Sequence, residues 1–161
     1  FELYENRPQK PGSEEYLDSE KYEVRRWDIN RPDSLKEFIS LINRIRRENP
    51  ALHRDESLQF HPIDNEYLLA YSKQSADGSN VVLIVVNLSP HHVHSGWMEL
   101  NLAALGIEAN QPFQVHDLLT QAYYVWQGPR NYVQLDPHSV PAQIFAVRRN
   151  LRREEDFDYY L

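Results

Sequence analysis

Beyond Leu52 the apolar residues of this chain recur at every second position, a spacing that favours β-strands with alternate side chains facing a common interior. Tyr67, Leu69 and Tyr71 alternate with Leu68 and Ala70. Residues 81–86 are uninterruptedly apolar and mostly β-branched, which suits a central strand covered on both faces. Asp77-Gly78 is a tight-turn signal between those two runs, and Ser89-Pro90 ends the second. Met98, Leu100 and Leu102 then alternate with Trp97, Glu99 and Asn101. Residues 113–119, 123–126, 132–135 and 142–147 complete the series, with turns over 117–123, at Gly128-Pro129 and at Asp136-Pro137. Short strands at this spacing predict an antiparallel sandwich or barrel. There is no internal repeat.

One helix precedes the strands. Ser34 and Glu37 have capping-box spacing, with Ser34 accepting a backbone N–H and Glu37 reaching back. Leu35, Phe38, Ile39, Ile42 and Ile45 recur at helical spacing and define one buried face, with Asn43, Arg44, Arg46 and Arg47 off it. Pro50 disfavours helical geometry at Asn49, so the helix is expected to end there.

Composition removes whole classes of function. Lysine and arginine number 17 against 24 acidic residues, a net charge of −7, which argues against the basic footprint of a nucleic-acid binder. No apolar run approaches the roughly 20 residues that cross a bilayer. There is no cysteine, so disulfide and thiol chemistry are excluded, and a reducing, cytoplasmic setting is expected. The chain begins at Phe1 with no signal segment, and residues 1–32 are polar and broken by Pro8, Pro11, Gly12 and Pro32. It therefore reads as a piece of something longer. The tail from Arg148 mixes arginines with acidic residues and reads as a solvated end.

Little in the chain carries chemistry by itself. Five glycines make no phosphate-cradling loop, and no Gly-x-Ser-x-Gly elbow is present. His91, His92 and His94 fit either a polar loop or two imidazoles on one side of a strand, and no metal site is assigned to them. Trp97, Trp126, Tyr123 and Tyr124 fit either a platform for sugar rings or ordinary packing across hairpins. Residues 1–8 and 14–23 gather carboxylates, an amide, a lysine and tyrosines in a broken loop ahead of the helix. Such a loop is either a linker or a binding segment on a rigid scaffold.

Three stretches carry a resemblance: Phe1-Glu2-Leu3-x-Glu5-Asn6, Glu15-Tyr16-Leu17-x-Ser19-Glu20-Lys21-Tyr22-Glu23, and the arginine-rich run through Asn43-Arg44-Ile45-Arg46-Arg47 to Asn49-Pro50-Ala51-Leu52. They resemble the bacterial alpha-1,4-glucan:maltose-1-phosphate maltosyltransferases, a branch of glycoside hydrolase family 13. Residues 81–88, Val115-x-Asp117-Leu118-Leu119 and Pro141-Ala142-Gln143-Ile144-Phe145 also fit, so the likeness spans the chain. The Glu-Lys-Tyr-Glu loop is its specific part. Ser89 stands where an acidic residue is expected, Gln121 where a turn glycine is usual, and Gln143 where histidine is common.

The resemblance implies a mainly β chain, an antiparallel β-sandwich preceded by the last loop and helix of a (β/α)8 barrel. Residues 1–53 would end the barrel, 54–149 would form the sandwich, and 150–161 a charged tail. The parent would carry maltosyl units from alpha-maltose 1-phosphate to the non-reducing ends of alpha-1,4-glucans, with retention. Retaining chemistry uses a carboxylate nucleophile and an acid/base roughly 5 to 5.5 Å apart. In the family both come from earlier barrel strands, so no catalytic residue is assigned here. Lys21 and Tyr22 would line the donor sugar subsites, the loop lying at the barrel mouth where such active sites sit. No cofactor is implied, and the parent would be a homodimer that engages neither nucleic acid nor membrane. An amylase-type hydrolase, a trehalose-forming relative and a free-standing carbohydrate-binding module are the alternatives.

Overall fold

A computed structural model describes Leu3, residues 6–17, Val24 and residues 26–149. The loop residues Lys21 and Tyr22 and the tail at 150–161 lie outside the described residues. The chain divides into two compact units, Phe1–Ile45 and Arg46–Leu161.

In the first unit, residues 7–17 fold back on themselves. The Leu17 N–H donates to the Arg7 carbonyl at 2.7 Å and the Gln9 N–H to the Glu15 carbonyl at 2.8 Å. Gly12 turns the chain between them with φ +78°, a conformation glycine adopts without a steric cost. The helix α1, Lys36–Glu48, begins two residues later than the sequence suggests. The capping box does not form: Ser34 Oγ accepts the Lys36 N–H at 3.2 Å, and the Ser34 N–H is already given to the Arg31 carbonyl at 3.0 Å. Glu37 in the first turn and Arg46 and Arg47 in the last still suit the helix dipole. The apolar stripe is unevenly covered, with Ile45 buried, Leu35, Ile39 and Ile42 half-buried and Phe38 50% exposed. A single face buried along its whole length is thus not what is found.

The second unit is a β-sandwich. Eight strands, all paired antiparallel, follow a 3₁₀ turn at Pro50–His53: β1 Gln59–His61, β2 Leu68–Gln74, β3 Val81–Asn87, β4 His94–Glu99, β5 Pro112–Asp117, β6 Tyr123–Gln127, β7 Arg130–Leu135 and β8 Ala142–Arg148. Six form one sheet in the order β1-β2-β3-β8-β5-β6, and β4 and β7 form the other. The last strand therefore closes the large sheet between β3 and β5. The apolar run is the inner strand expected of it. Val81, Leu83 and Val85 enter the core with Phe113, Val115, Phe145, Met98, Val133 and Leu135. Val82 and Ile84 face the other way, packed with Ala51 and Leu52 of the 3₁₀ turn and with Tyr71 and Ile144.

Three details differ from the pattern reading. Strand β4 stops at Glu99, so Leu100 and Leu102 do not continue it. They are buried from the following turns, beside Leu105 and Ile107, because a loop crossing the open end of a sandwich must also cover its core. Asp77-Gly78 sits in a longer loop, residues 75–80, closed by the Ser75 N–H on the Asn80 carbonyl at 2.9 Å. Within it Asp77 accepts from the Ser75 hydroxyl at 2.6 Å and from the Ser79 N–H at 3.1 Å, and these bonds hold its carboxyl at about 2. Strand β1, paired to β2 at the sheet edge, is too short to show a period.

Candidate functional site

The sandwich separates the aromatic residues singled out in the sequence. Trp126, on the edge strand β6, points inwards. Its ring stands edge-on to Phe113 at 6.1 Å and to Phe145 at 5.2 Å. Tyr124 shares that side and meets Phe145 at 6.1 Å. Tyr123 faces outwards and stacks on His116, its register partner on β5, at 4.1 Å. Trp126 is a packing residue, while Tyr123 and Tyr124, each held by a neighbour across the hairpin or sheet, stay 53% and 42% exposed. Trp97 belongs elsewhere, on β4 in the small sheet, so the four do not form one platform.

Trp97 has other company. Alternation along β4 sends Met98 into the core and leaves Trp97 and Glu99 outside. Along β7 it buries Asn131, Val133 and Leu135 and exposes Arg130, Tyr132 and Gln134. Register sets Trp97 opposite Tyr132 and Glu99 opposite Arg130. The Trp97 and Tyr132 rings meet edge to face at 5.4 Å, and the Arg130 guanidinium lies over the indole at 5.0 Å. Residues 62–64 run along the free side of β4. There Asp64 Oδ1 accepts the Trp97 N–H at 2.6 Å, and the Glu99 N–H donates to the Pro62 carbonyl at 2.9 Å. Gly96 permits this approach, since a Cβ there would stand 2.9 Å from Asp64 Oδ1 and 3.1 Å from Ile63.

Between this segment and the Pro129-Arg130 turn lies an open cleft of about 540 Å³, lined by Pro62, Ile63, Asp64, Trp97, Glu99, Pro129 and Arg130. Trp97 is 44% and Tyr132 48% exposed. The cleft thus combines an aromatic floor with two carboxylates and a guanidinium. It can stack a flat apolar face and exchange hydrogen bonds around its rim. Sequence reasoning found Trp97 but missed Asp64, Arg130 and Tyr132. Period-two parity marks Tyr132 as outward-facing, but its pairing with Trp97 joins two strands far apart in the chain.

His91 and His92 lie in the loop before β4, and His94 opens that strand. Successive rings of His91, His92 and His94 stand 6.4 and 6.5 Å apart, and His94 stacks on Tyr67 at 4.5 Å. Among the described residues no three metal-ligating side chains come together. Ser89 caps this loop, its Oγ accepting the His92 N–H at 3.2 Å, a task an acidic side chain would perform equally well. Lys21 and Tyr22 receive no structural placement.

A six-plus-two antiparallel sandwich with an exposed aromatic pair on the small sheet is the class of domain these features define. A family model described as "GLGE, C-terminal" matches residues 60–147, and the chain belongs to that family. It is 43% identical over 150 residues to the alpha-1,4-glucan:maltose-1-phosphate maltosyltransferase of Methylacidiphilum infernorum, covering 93% of this chain and 22% of that protein. Its likeness to the protein of the same name from Corynebacterium glutamicum is 47% over 151 residues, 91% of this chain and 22% of that one. The Myxococcus xanthus protein of that name is 41% identical over 160 residues, 99% of this chain and 24% of its own length. The chain therefore spans between a fifth and a quarter of these curated relatives. A solved GH27 β-L-arabinopyranosidase from Geobacillus stearothermophilus superposes with a TM-score of 0.42 at 15% identity, over 63% of this chain and 22% of that one, too slight a likeness to carry an argument.

Proposed function

We propose that this chain is the C-terminal portion of a retaining maltosyltransferase that moves maltosyl units from alpha-maltose 1-phosphate to the non-reducing ends of alpha-1,4-glucans. The observation that carries this reading is the 41–47% identity, over nine-tenths or more of the chain, to three proteins bearing that name. The name also sets the hydrolase, trehalose-forming and free-standing-module alternatives behind it.

In this reading residues 1–53 close the catalytic barrel, 54–149 form the sandwich and 150–161 a charged tail. Phe38, half-exposed on the apolar stripe of α1, supports it, because a barrel helix offers such a stripe to the strands it covers. Lys21 and Tyr22 line the donor sugar subsites. The ammonium donates to sugar hydroxyls and the phenol ring packs on the sugar face. The nucleophile and the acid/base come from earlier strands of the barrel. The enzyme acts in the cytoplasm as a homodimer.

The test is phosphate release. The full-length enzyme that contains this chain, given alpha-maltose 1-phosphate and a maltooligosaccharide, is expected to liberate inorganic phosphate only when the acceptor is present. Release of free sugar from starch without the phosphate donor would overturn the assignment in favour of a hydrolase.

A further inference from the structure

We propose that the Trp97 cleft is an α-glucan-binding site on the small sheet. The choice of glucan as occupant rests on the maltosyltransferase reading; the existence of the cleft does not.

The chemistry of the cleft selects a carbohydrate. Trp97 is a large apolar ring left 44% exposed on a strand whose neighbouring position, Met98, is fully buried. The indole can stack on the C–H face of a pyranose while polar groups around it reach the hydroxyls. Those groups are present in both senses: Asp64 and Glu99 accept hydrogen bonds, and Arg130 donates them. Two carboxylates and one guanidinium leave the rim without the concentrated charge that would select an anion. The volume of about 540 Å³, open along one side, suits one or two sugar rings of a longer chain.

The cleft is held ready on its fixed side. Asp64 is anchored to the Trp97 backbone at 2.6 Å, and Tyr132 abuts the indole at 5.4 Å. Its movable side is Arg130. That guanidinium covers the indole at 5.0 Å, and its ion pair with Asp64 is stretched to 4.0 Å between side chains 68% and 53% exposed. An exposed pair at that distance contributes little. A sugar ring can therefore displace Arg130 from the indole at small cost, and the guanidinium then turns to the hydroxyls. The large sheet, in contrast, has its central outer face covered by Ala51 and Leu52. The small sheet instead leaves Trp97 and Tyr132 exposed.

The experiment is isothermal titration of the 161-residue chain with maltoheptaose, with cellohexaose as the β-linked control. The expected result is saturable binding of maltoheptaose and none of cellohexaose. Trp97→Ala should weaken binding about tenfold or more, as loss of a central aromatic anchor does. Glu99→Gln, which keeps the strand and its size, should weaken it less, and Trp97→Phe should retain part of it. Circular dichroism of each variant checks that the sandwich is intact. Absence of maltoheptaose binding by the wild-type chain, or equal binding by a folded Trp97→Ala, would overturn the site. Maltosyl transfer by the full-length enzyme to a short acceptor is measured in parallel. Transfer without glucan binding here removes the site and leaves the function; binding without transfer does the reverse.

Discussion

Lys21 is the single residue on which the proposed chemistry leans most within this chain. A lysine that donates to a sugar hydroxyl makes a charge-assisted hydrogen bond of about 1.5 to 3 kcal/mol. Lys21→Ala in the full-length enzyme should lower kcat/KM roughly ten- to a hundredfold, since each 1.4 kcal/mol is about tenfold, with little change in Tm. Tyr22→Phe should cost less than Tyr22→Ala, because the ring still packs when the hydroxyl is gone. Steady-state kinetics with alpha-maltose 1-phosphate decides this, and wild-type efficiency in Lys21→Ala would make the loop a linker. His61 makes a different prediction, about stability. It is buried on β1 with Nε2 2.8 Å from Ser72 Oγ, and burial pushes its imidazole below the ordinary value of 6.5. The unfolded chain takes up that proton near 6.5, and the folded chain only at lower pH. The contribution of His61 is thus complete above 6.5 and is lost as pH falls through the folded value. The urea midpoint of the wild type should drop between pH 7.5 and 5, and drop less in His61→Gln.

The strands show where sequence is readable and where it is not. Residues 81–86 announced an inner strand because six consecutive apolar side chains need cover on both faces, and β3 has cores on both. The helix was equally legible from its 3.6-residue period, and Ser34 accepts a backbone N–H as expected, yet the Glu37 half of the box fails because the Ser34 N–H goes to a carbonyl that spacing cannot foresee. Likewise Trp97 was visible as a strand aromatic, but its partners Tyr132 and Asp64 came from pairings that only the folded sheet specifies. The β5–β6 hairpin illustrates a substitution read in advance. Gln121, where a glycine is usual, adopts φ +64°, the left-handed region that costs a non-glycine residue about 1 kcal/mol or more. Its side chain offsets this with a bond to the Leu118 carbonyl at 2.9 Å and one with His116 Nε2 at 3.2 Å. Gln121→Gly should therefore leave Tm within about 2 °C of wild type. Gln121→Val loses both bonds and adds a branched Cβ, so it should destabilise by about 1 to 2 kcal/mol in urea unfolding.

For the molecule as a whole, the sandwich is a well-packed unit with its own core, and in the proposed reading the catalysis belongs to a barrel of which residues 1–53 would be the end. The 161-residue chain alone should neither transfer maltose nor hydrolyse starch, since the carboxylate pair is not among its assigned residues. Turnover by a pure sample above the buffer rate would contradict that division of labour. The most direct measurement follows the products of the full-length enzyme by mass spectrometry, with alpha-maltose 1-phosphate as donor and maltohexaose as acceptor. A maltosyltransferase lengthens the acceptor in steps of two glucose units, each step releasing one phosphate. A ladder advancing by single glucose units, free maltose without a lengthened acceptor, or a product pattern indifferent to the phosphate donor would contradict it.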